Sequence, residues 1–510
     1  MANNLLRVTG MISGMDTESI INMYASKAKK NLDTAKGKKQ LNNWTQDAWK
    51  DLNTKIYSFY SKTLSANRMS AAYKKTKTTT SDDALSVTGG NNAAQGTQSA
   101  KIGSMATSAY LTGATVKTAD GDSAELKSSD NLSSRLGIEE GKQLSFKLGE
   151  GAEKKIQIGG SSDDENVTVV NTMDELTSAL KSAGVNANFD EANQRLFVSS
   201  KTTGAKNNFS FSSDDAEVLT KLGIQGEGSH MEEAKSAKLT LNGAEFTSES
   251  NSFTINGSTY TINHEPADKD KAITVNTTTD YDGIYDTVKS MLKEYNSLVN
   301  EMSKLYNAES SKGYDPLTDE QKEEMSEKEI EDWENKIKGS LLRGDATLND
   351  VMNAITNTTN TAISVNGKDM YLTDFGISTQ SYFTAEVNER YALHIDGDAD
   401  DEVSAANADK LKDWVAKDPE AVSEFFSKLS ANLYNNIYEK MSGNSKMSSI
   451  YKVYNDKQMK QESSDWDEKI AALEDKVTEI EDKWYSRFAA METKLAKLQK
   501  NQTAVGGFFG

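Results

Sequence analysis

Cysteine and histidine, the residues that most often serve as nucleophiles, proton carriers or zinc ligands, are scarce in this sequence. Its 510 residues include no cysteine and three histidines, which are His230, His264 and His394. The histidines are far apart, and none has a second histidine at helical spacing. A disulfide framework and a thiolate metal site are therefore excluded, and a zinc site or a histidine-based nucleophile is not expected.

One acidic run, Asp396-Gly-Asp-Ala-Asp-Asp-Glu402, has alternate aspartates, as calcium-binding loops do. Asp401 and Asn407 stand where such a loop normally has its glycine and its bidentate glutamate, so we expect a solvated acidic turn here. No carboxylate pair stands out as a glycosidase pair, and no phosphate-binding glycine-rich loop is present. These residues predict a protein that is not an enzyme and that uses no cofactor or metal.

The overall charge limits the partners of this chain. With 77 acidic and 58 basic residues the net charge is −19, which disfavours broad nucleic-acid binding because phosphate is repelled. No stretch approaches the roughly 18 apolar residues of a membrane span, and no secretory signal peptide is visible. Taken alone, these features predict a cytoplasmic protein and leave open an export route without signal cleavage. A basic cluster is interpreted as a solvated helix face; it comprises Lys27, Lys29, Lys30, Lys36, Lys38 and Lys39.

The most regular pattern in the sequence is an apolar stripe near the C-terminus. Its members recur every three or four residues, with one stutter around Trp484. They are Trp466, Ile470, Leu473, Val477, Ile480, Trp484, Phe488, Met491, Leu495 and Leu498. Such a helix is roughly 50 Å long and needs a partner helix to cover its stripe. A bundle within the chain and assembly with other chains both remain open; we favour assembly because the stripe lies at the extreme terminus.

A second helix is predicted near the N-terminus, over residues 17–68. Asp16 suits the N-cap position, and Ile20, Ile21 and Tyr24 begin an apolar face. Gly37 is expected to weaken the middle of this helix and to mark a joint. Residues 1–75 contain 13 basic and 5 acidic residues, whereas residues 461–500 contain 7 and 10. These opposite charges favour packing of the N-terminal helix near the C-terminal one, although exposed pairs contribute little each.

Residues from about 74 to 278 are rich in Ser, Thr, Asn and Gly, and their short alternating runs predict short strands. Phe253–Ile262 predicts a hairpin with Asn256-Gly257 in a type I′ turn, and Thr172 with Glu175 predicts a capped helix. A broad apolar face then predicts a helix from about residue 280, and two capping boxes, at Thr318 and Ser326, predict short surface helices.

These patterns predict a multidomain α+β protein, with a helical stalk, terminal coiled-coil arms and an inserted β-rich head of two small domains. The expected segments are an N-terminal helical arm at 1–40, a stalk helix at 41–73, an inner β-rich domain at 74–115 and 235–278, an outer variable head domain at 116–234, a mostly helical stalk domain at 279–460, and a C-terminal coiled-coil arm at 461–510.

Several motifs resemble those of the flagellar hook-associated protein 2 family, the flagellar filament cap proteins. The opening Gly10-Met-Ile-Ser-Gly-Met-Asp-Thr17 is similar to the family's N-terminal signature, in which Ser13, Gly14, Met15, Asp16 and Thr17 match. Similar segments follow at 280–287, 294–298, 316–322, 341–348, 418–422 with Phe425-Phe426, and in the coiled end up to Gly510. Residues 170–200 resemble the flagellin hook IN motif.

The resemblance implies a structural protein that forms a ring-like homo-oligomer at the distal tip of the flagellar filament, with terminal helices as legs and β-rich domains as a plate. It implies export through the flagellar channel with the help of an export chaperone. It also implies flagellin as partner, whose leakage the cap prevents and whose polymerisation it promotes. We further expect the arms to be poorly ordered in the isolated subunit and to bury their stripes only against neighbouring subunits or flagellin.

Two other functions remain open. The chain could be a tip adhesin whose variable head, residues 116–234, binds host mucin or glycans. It could also be a different axial protein of the flagellum, but the Ser13-Gly-Met-Asp-Thr17 opening argues against this.

Overall fold

The computed structural model describes residues 12–90, 93–119, 125–441, 447, 449 and 451–509. The chain is an α+β protein, as its sequence predicts. It divides into two compact units: Lys74–Asp280 forms one, and the flanking chain, up to Tyr73 and from Tyr281 onward, forms the other. The β-rich unit is thus inserted into the sequence of a mostly helical unit.

The helices, numbered in chain order, are α1 (Thr17–Ser58), α2 (Ser65–Asn67), α3 (Leu132–Leu136), α4 (Met173–Ser182), α5 (Ala216–Lys221), α6 (Tyr281–Tyr306), α7 (Asp319–Glu323), α8 (Glu327–Lys338), α9 (Ala346–Thr359), α10 (Lys410–Lys417), α11 (Pro419–Met441) and α12 (Asp456–Phe509). A π-helical segment, Phe59–Leu64, joins α1 to α2, and short 3₁₀ turns occur at Ser70–Tyr73, Ala205–Asn207 and Leu372–Phe375.

The strands of the β-rich unit are β1 (Thr76–Thr80), β2 (Leu85–Gly89), β3 (Gly96–Ser104), β4 (Tyr110–Thr112), β5 (Lys142–Leu148), β6 (Lys154–Ile158), β7 (Val167–Val170), β8 (Val185–Asp190), β9 (Arg195–Ser200), β10 (Phe209–Ser212), β11 (His230–Glu232), β12 (Ala237–Leu241), β13 (Ala244–Ser248), β14 (Ser252–Ile255), β15 (Ser258–Ile262) and β16 (Ile273–Thr279). The helical unit adds β17 (Ile363–Val365), β18 (Lys368–Met370), β19 (Ile377–Ser378) and β20 (His394–Ile395).

The core of the helical unit forms where the C-terminal half of α1 meets α6, α9 and α11. Ile56, Tyr295, Phe425 and Phe426 are fully buried there. The predicted apolar face of α6 is confirmed, because its members line this core. Fully burying each such side chain contributes roughly 1.5–3 kcal/mol.

The predicted joint at Gly37 is wrong, because α1 continues through this residue as regular helix. The cost of one glycine inside a helix is only about 1 kcal/mol, and packing of the surrounding turns against α12 compensates for it. The two capping boxes are confirmed: Thr318 and Ser326 each accept the backbone N–H three residues on, and Gln321 and Glu329 return the bond.

The β-rich unit contains two hydrophobic clusters. One lies between the sheet β1-β16-β3-β12-β13 and the sheet β14-β15-β2, and Leu239, Tyr260 and Val275 are buried in it. The predicted hairpin is confirmed as β14-β15, and Asn256 and Gly257 both have the positive φ that a type I′ turn requires.

The other cluster lies among the sheets β10-β5-β6-β7 and β11-β4-β9-β8 and helix α4, and it buries Leu144, Phe146 and Leu176. Thr172 caps α4 by accepting the N–H of Glu175 at 3.2 Å. All strand pairs in these two sheets are antiparallel except β6 with β7. The assignment of inner and outer domains to particular segments stays a prediction.

Candidate functional site

The two ends of the chain form one antiparallel helix pair. Residues 17–40 of α1 lie beside residues 466–492 of α12, and we call this pair the arm. Lys29 and Lys36 form ion pairs with Glu481 at 2.9 Å and Glu474 at 3.4 Å, and Lys39 pairs with Asp467. The order of these pairs shows that the helices run in opposite directions. The predicted packing of oppositely charged ends is thus confirmed, although such exposed pairs fix register more than they stabilise.

The inner face of the arm, which we call the seam, combines small and large side chains. Ile21, Ala25, Ala28 and Ala35 of α1 are buried, and alanine allows a close approach of the partner helix. Large residues of α12 fill the opposite side. Val477, Phe488 and Glu492 are buried there. The seam therefore has the small-against-large packing that two closely spaced helices need.

The predicted stripe of α12 is only partly covered by α1. Trp466, Ile470, Leu473, Ile480, Trp484, Met491 and Leu495 are half-buried, and Leu498 is 63% exposed. One partner helix cannot enclose a stripe of this width. Of the two alternatives for the stripe, the structure shows packing within the chain. The expectation that the stripes are buried only against neighbouring subunits or flagellin is wrong, because α1 and α12 partly cover one another. The expected poor order of the arms in the isolated subunit stays a prediction.

The predicted N-terminal stripe is divided between different environments. Ile21 is buried, Ile20 is half-buried, and Tyr24 is 47% exposed. The Tyr24 ring nevertheless stacks on the indole of Trp484, with centroids 3.8 Å apart and planes inclined by 10°. An aromatic pair of this kind contributes about 0.5–1.5 kcal/mol beyond its buried area.

The predicted motif Ser13-Gly-Met-Asp-Thr17 leads into α1, which begins at its last residue. Gly14 has φ +68°, a backbone conformation that favours glycine. Asp16 caps the helix by accepting the N–H of Ser19 at 3.0 Å and its hydroxyl at 2.6 Å. These bonds, that from the hydroxyl first, lower the pKa of Asp16. Thr17 is buried and Met15 is exposed.

Glu492 anchors this motif to α12. Its carboxylate accepts the N–H of Ile12 at 2.8 Å, the N–H of Ser13 at 3.3 Å and the Ser13 hydroxyl. These hydrogen bonds, led by that of the hydroxyl, lower the pKa of Glu492. Only 9% of Glu492 is exposed. The sequence patterns did not predict this role of Glu492. The one feature that indicates it is the position of a carboxylate within the apolar stripe, just after the stutter around Trp484.

Beyond the arm, α1 also contacts the segment that leads into α12. The Asn53 amide accepts the N–H of Val453 at 3.0 Å and donates to the carbonyl of Tyr451 at 3.2 Å. Trp49 stacks on Tyr454 with ring centroids 5.5 Å apart. These contacts join the arm to the core of the helical unit.

The acidic run is an ion-paired turn. The Lys289 ammonium donates to Asp398 and Asp400, both at 2.6 Å. Partial burial opposes the charged form, but the two hydrogen bonds outweigh it and raise the pKa of Lys289. Nδ1 of His394 lies 2.9 Å from Asp401. Within the described residues, no group of three or more potential ligands could hold a metal ion.

No helix in the described part of the chain combines the length and apolarity needed to cross a bilayer. Paired terminal helices and an inserted β-rich unit define a multidomain α+β protein. Residues 234–500, more than half of the chain, match the model for the flagellar hook-associated protein 2 C-terminus, and residues 13–109 match that for its N-terminus. The chain therefore belongs to the flagellar hook-associated protein 2 family.

Two relatives carry that family name. The flagellar hook-associated protein 2 of Halalkalibacterium halodurans is 23% identical over 545 residues, covering 99% of this chain and 100% of the relative. That of Thermotoga maritima is 24% identical over 353 residues, covering 68% of this chain and 53% of the relative.

Solved structures of similar proteins include the flagellar cap protein FliD D1-D2-D3 domains from Escherichia coli, with 21% identity, a TM-score of 0.48, and coverage of 76% of this chain and 95% of that one. FliD from Pseudomonas aeruginosa has 23% identity and a TM-score of 0.30, covering 42% of this chain and 94% of that one.

Proposed function

We propose that this chain caps the distal end of a bacterial flagellar filament. It prevents flagellin from leaking away, promotes flagellin polymerisation and is required for filament elongation. Family membership supports this role, and the arm is the observation that carries it. Both chain ends contribute to the arm, and its apolar stripe is left half-covered in the single chain.

The half-covered stripe suits contacts that form and break repeatedly. Complete burial of a large apolar side chain contributes roughly 1.5–3 kcal/mol, and Trp466, Ile480 and Trp484 have part of that gain still available. Association has opposing costs in lost motion and in ordering of side chains. The resulting near-balance lets arms detach and rebind as each flagellin subunit is added.

The proposal includes the partners and the location. The partners are further copies of this chain in a ring-like homo-oligomer, flagellin, and an export chaperone before secretion. The location is extracellular, at the distal tip of the filament, after export through the flagellar channel without signal cleavage. The absence of cysteine is compatible with threading of an unfolded chain, because no disulfide has to form or open.

Deletion of the gene tests the function. Cells without the chain should release unpolymerised flagellin into the medium and carry short filaments or none, and the wild-type gene should restore filaments. Trp466→Ala/Trp484→Ala should restore them poorly because the stripe loses its two largest side chains. Phe383→Ala is the matched control, since Phe383 is 94% exposed and lies outside the arm. Full-length filaments in the deletion strain would overturn the proposal.

A second candidate function, tip adhesion, is favoured by one face of the sheet β11-β4-β9-β8. Tyr110 and Phe197 project from neighbouring strands and are exposed. Exposed Asn186 and Asn188 lie on the same face, and the His230 ring is 6.2 Å from that of Tyr110. Aromatic rings flanked by amides provide stacking surfaces and hydrogen-bonding groups for a neutral glycan.

Binding of the full-length protein to immobilised mucin tests this candidate. Retention that is lost in Tyr110→Ala/Phe197→Ala but kept in Phe383→Ala supports a glycan-binding face. Equal retention of all three proteins, or none by the wild type, would contradict it.

A further inference from the structure

The outward face of α1 in the arm is basic. Away from the seam, the helix presents Met23, Lys27, Lys30, Thr34 and Lys38, all of which are exposed. Their spacing by three and four residues places them on one stripe, which we call the lysine face. The Lys38 ammonium also lies 5.6 Å from the centroid of the Trp466 ring of α12. Within the described residues Lys27 and Lys30 form no ion pair, whereas Lys29, Lys36 and Lys39 all pair with α12 of the same chain.

The outward face of α12 has the opposite charge. Glu468, Asp475 and Glu479 are exposed on the side opposite the seam, and we call this stripe the acidic face. Exposed Ala471 and Ala472 lie between the first two carboxylates. Their small side chains allow another helix to come close.

The two faces match in position along the arm. The internal pairs show that residue 39 of α1 is level with residue 467 of α12, and residue 29 with residue 481. On the outward faces Lys38 is then level with Glu468, whereas Asp475 and Glu479 lie about five and four residues from the levels of Lys30 and Lys27. The larger offset is about 7.5 Å at 1.5 Å per residue, and both offsets have the same direction along the arm.

We propose that the arm binds a second copy of this chain, with the lysine face of one arm against the acidic face of the next. This inference rests on the proposed function and assigns the surface by which the copies associate. Two neighbouring arms placed side by side in parallel, with an axial shift of up to about one helical turn, bring all three pairs of opposite charges within reach of a lysine side chain.

The geometry of this contact favours a ring. The two faces differ, so the contact is heterologous, and every added arm leaves one lysine face and one acidic face free. Such a series closes when its rotation divides a full turn. The charges set register and partner choice, and the small Ala471 and Ala472 let the two helices approach closely.

Charge reversal of each face and of both faces tests the inference in the full-length protein. The variants are Lys27→Glu/Lys30→Glu/Lys38→Glu, Glu468→Lys/Asp475→Lys/Glu479→Lys, and the combination of both. The control is Lys50→Glu/Lys304→Glu/Lys312→Glu, which has the same change in net charge at exposed lysines outside the arm. Sedimentation velocity over a concentration series at low and high salt measures association, and circular dichroism checks helix content.

Reversal of either face alone should raise the dissociation constant by at least about tenfold. The combination should restore association because opposite charges meet again, and the control should match the wild type. Association of the wild type should weaken with salt. A monomeric wild type, single-face variants that associate normally, or a combination that fails to recover would each overturn the inference.

The same alleles expressed in the deletion strain separate the two proposals. If the single-face variants associate normally in solution while the deletion strain leaks flagellin, the assigned surface is wrong and the capping role stands. If the deletion strain grows full filaments, the capping role is wrong whatever the association state.

Discussion

The Ser13 hydroxyl donates a hydrogen bond to the carboxylate of Glu492, which lies 479 positions further along the chain. The same carboxylate accepts two backbone N–H groups at the start of the N-terminal motif. A family motif at one terminus is thus held by a single buried side chain from the other. These hydrogen bonds join the two amphipathic helices of the arm at the start of α1.

Replacement of Glu492 should loosen the start of α1. In Glu492→Ala, the N–H groups of Ile12 and Ser13 lose their acceptor, and amide hydrogen exchange over residues 12–20 should accelerate on the order of tenfold. Hydrogen-exchange mass spectrometry measures this effect. Glu462→Ala is the matched control, because Glu462 is exposed on the same helix and lies outside the acidic face. An equal response of the two variants would contradict the anchoring role.

The anchor should fail in acid. Hydrogen bonds to the carboxylate lower the pKa of Glu492 below its ordinary value of 4.5. A lowered pKa means that the folded state favours the ionised form, so the stabilisation is complete above pH 4.5 and is lost as pH falls through the lowered pKa. Amide protection over residues 12–20 should therefore be constant from neutral pH down to about 4.5 and then decline. Loss of protection well above this range would show that another group controls the anchor.

The stack of Tyr24 on Trp484 should contribute a measurable coupling energy. A double-mutant cycle of Tyr24→Ala and Trp484→Ala is expected to give about 0.5–1.5 kcal/mol. Urea unfolding followed by far-ultraviolet circular dichroism supplies the four free energies of unfolding. Additive effects of the two substitutions would indicate that the rings do not stack in solution.

Two phenylalanines in the helical unit should respond oppositely to truncation. Phe425 is fully buried and Phe383 is 94% exposed. Phe425→Ala should lower the free energy of unfolding by about 3–5 kcal/mol, whereas Phe383→Ala should change it by less than about 0.5 kcal/mol. Urea unfolding of both variants measures the difference. Similar values for the two would contradict the core described here.

Local features of this fold could be predicted from the sequence because their causes are local. The turn at Asn256-Gly257 requires positive φ, which these two residues tolerate. The caps at Thr318 and Ser326 require a hydroxyl three residues before a glutamine or glutamate. The apolar face of α6 repeats with the helical period and so could be assigned to the core. The opposite charges of the termini correctly indicated that they pack together.

Other features could not be predicted because they depend on residues far apart in the chain. Glu492 is a charged residue in an apolar stripe, and its role is evident only once the hydrogen-bond donors of the N-terminal motif are known. The acidic turn looks like a calcium loop until Lys289 neutralises two of its aspartates. Gly37 looks like a joint until packing against α12 is included. In each case a tertiary partner outweighs the local preference.

Immunogold electron microscopy of intact filaments, with antibody against the β-rich unit, tests the central claim most directly. The account predicts label confined to the distal end of each filament and no label in the deletion strain. Label along the filament shaft, or only at its base, would contradict it.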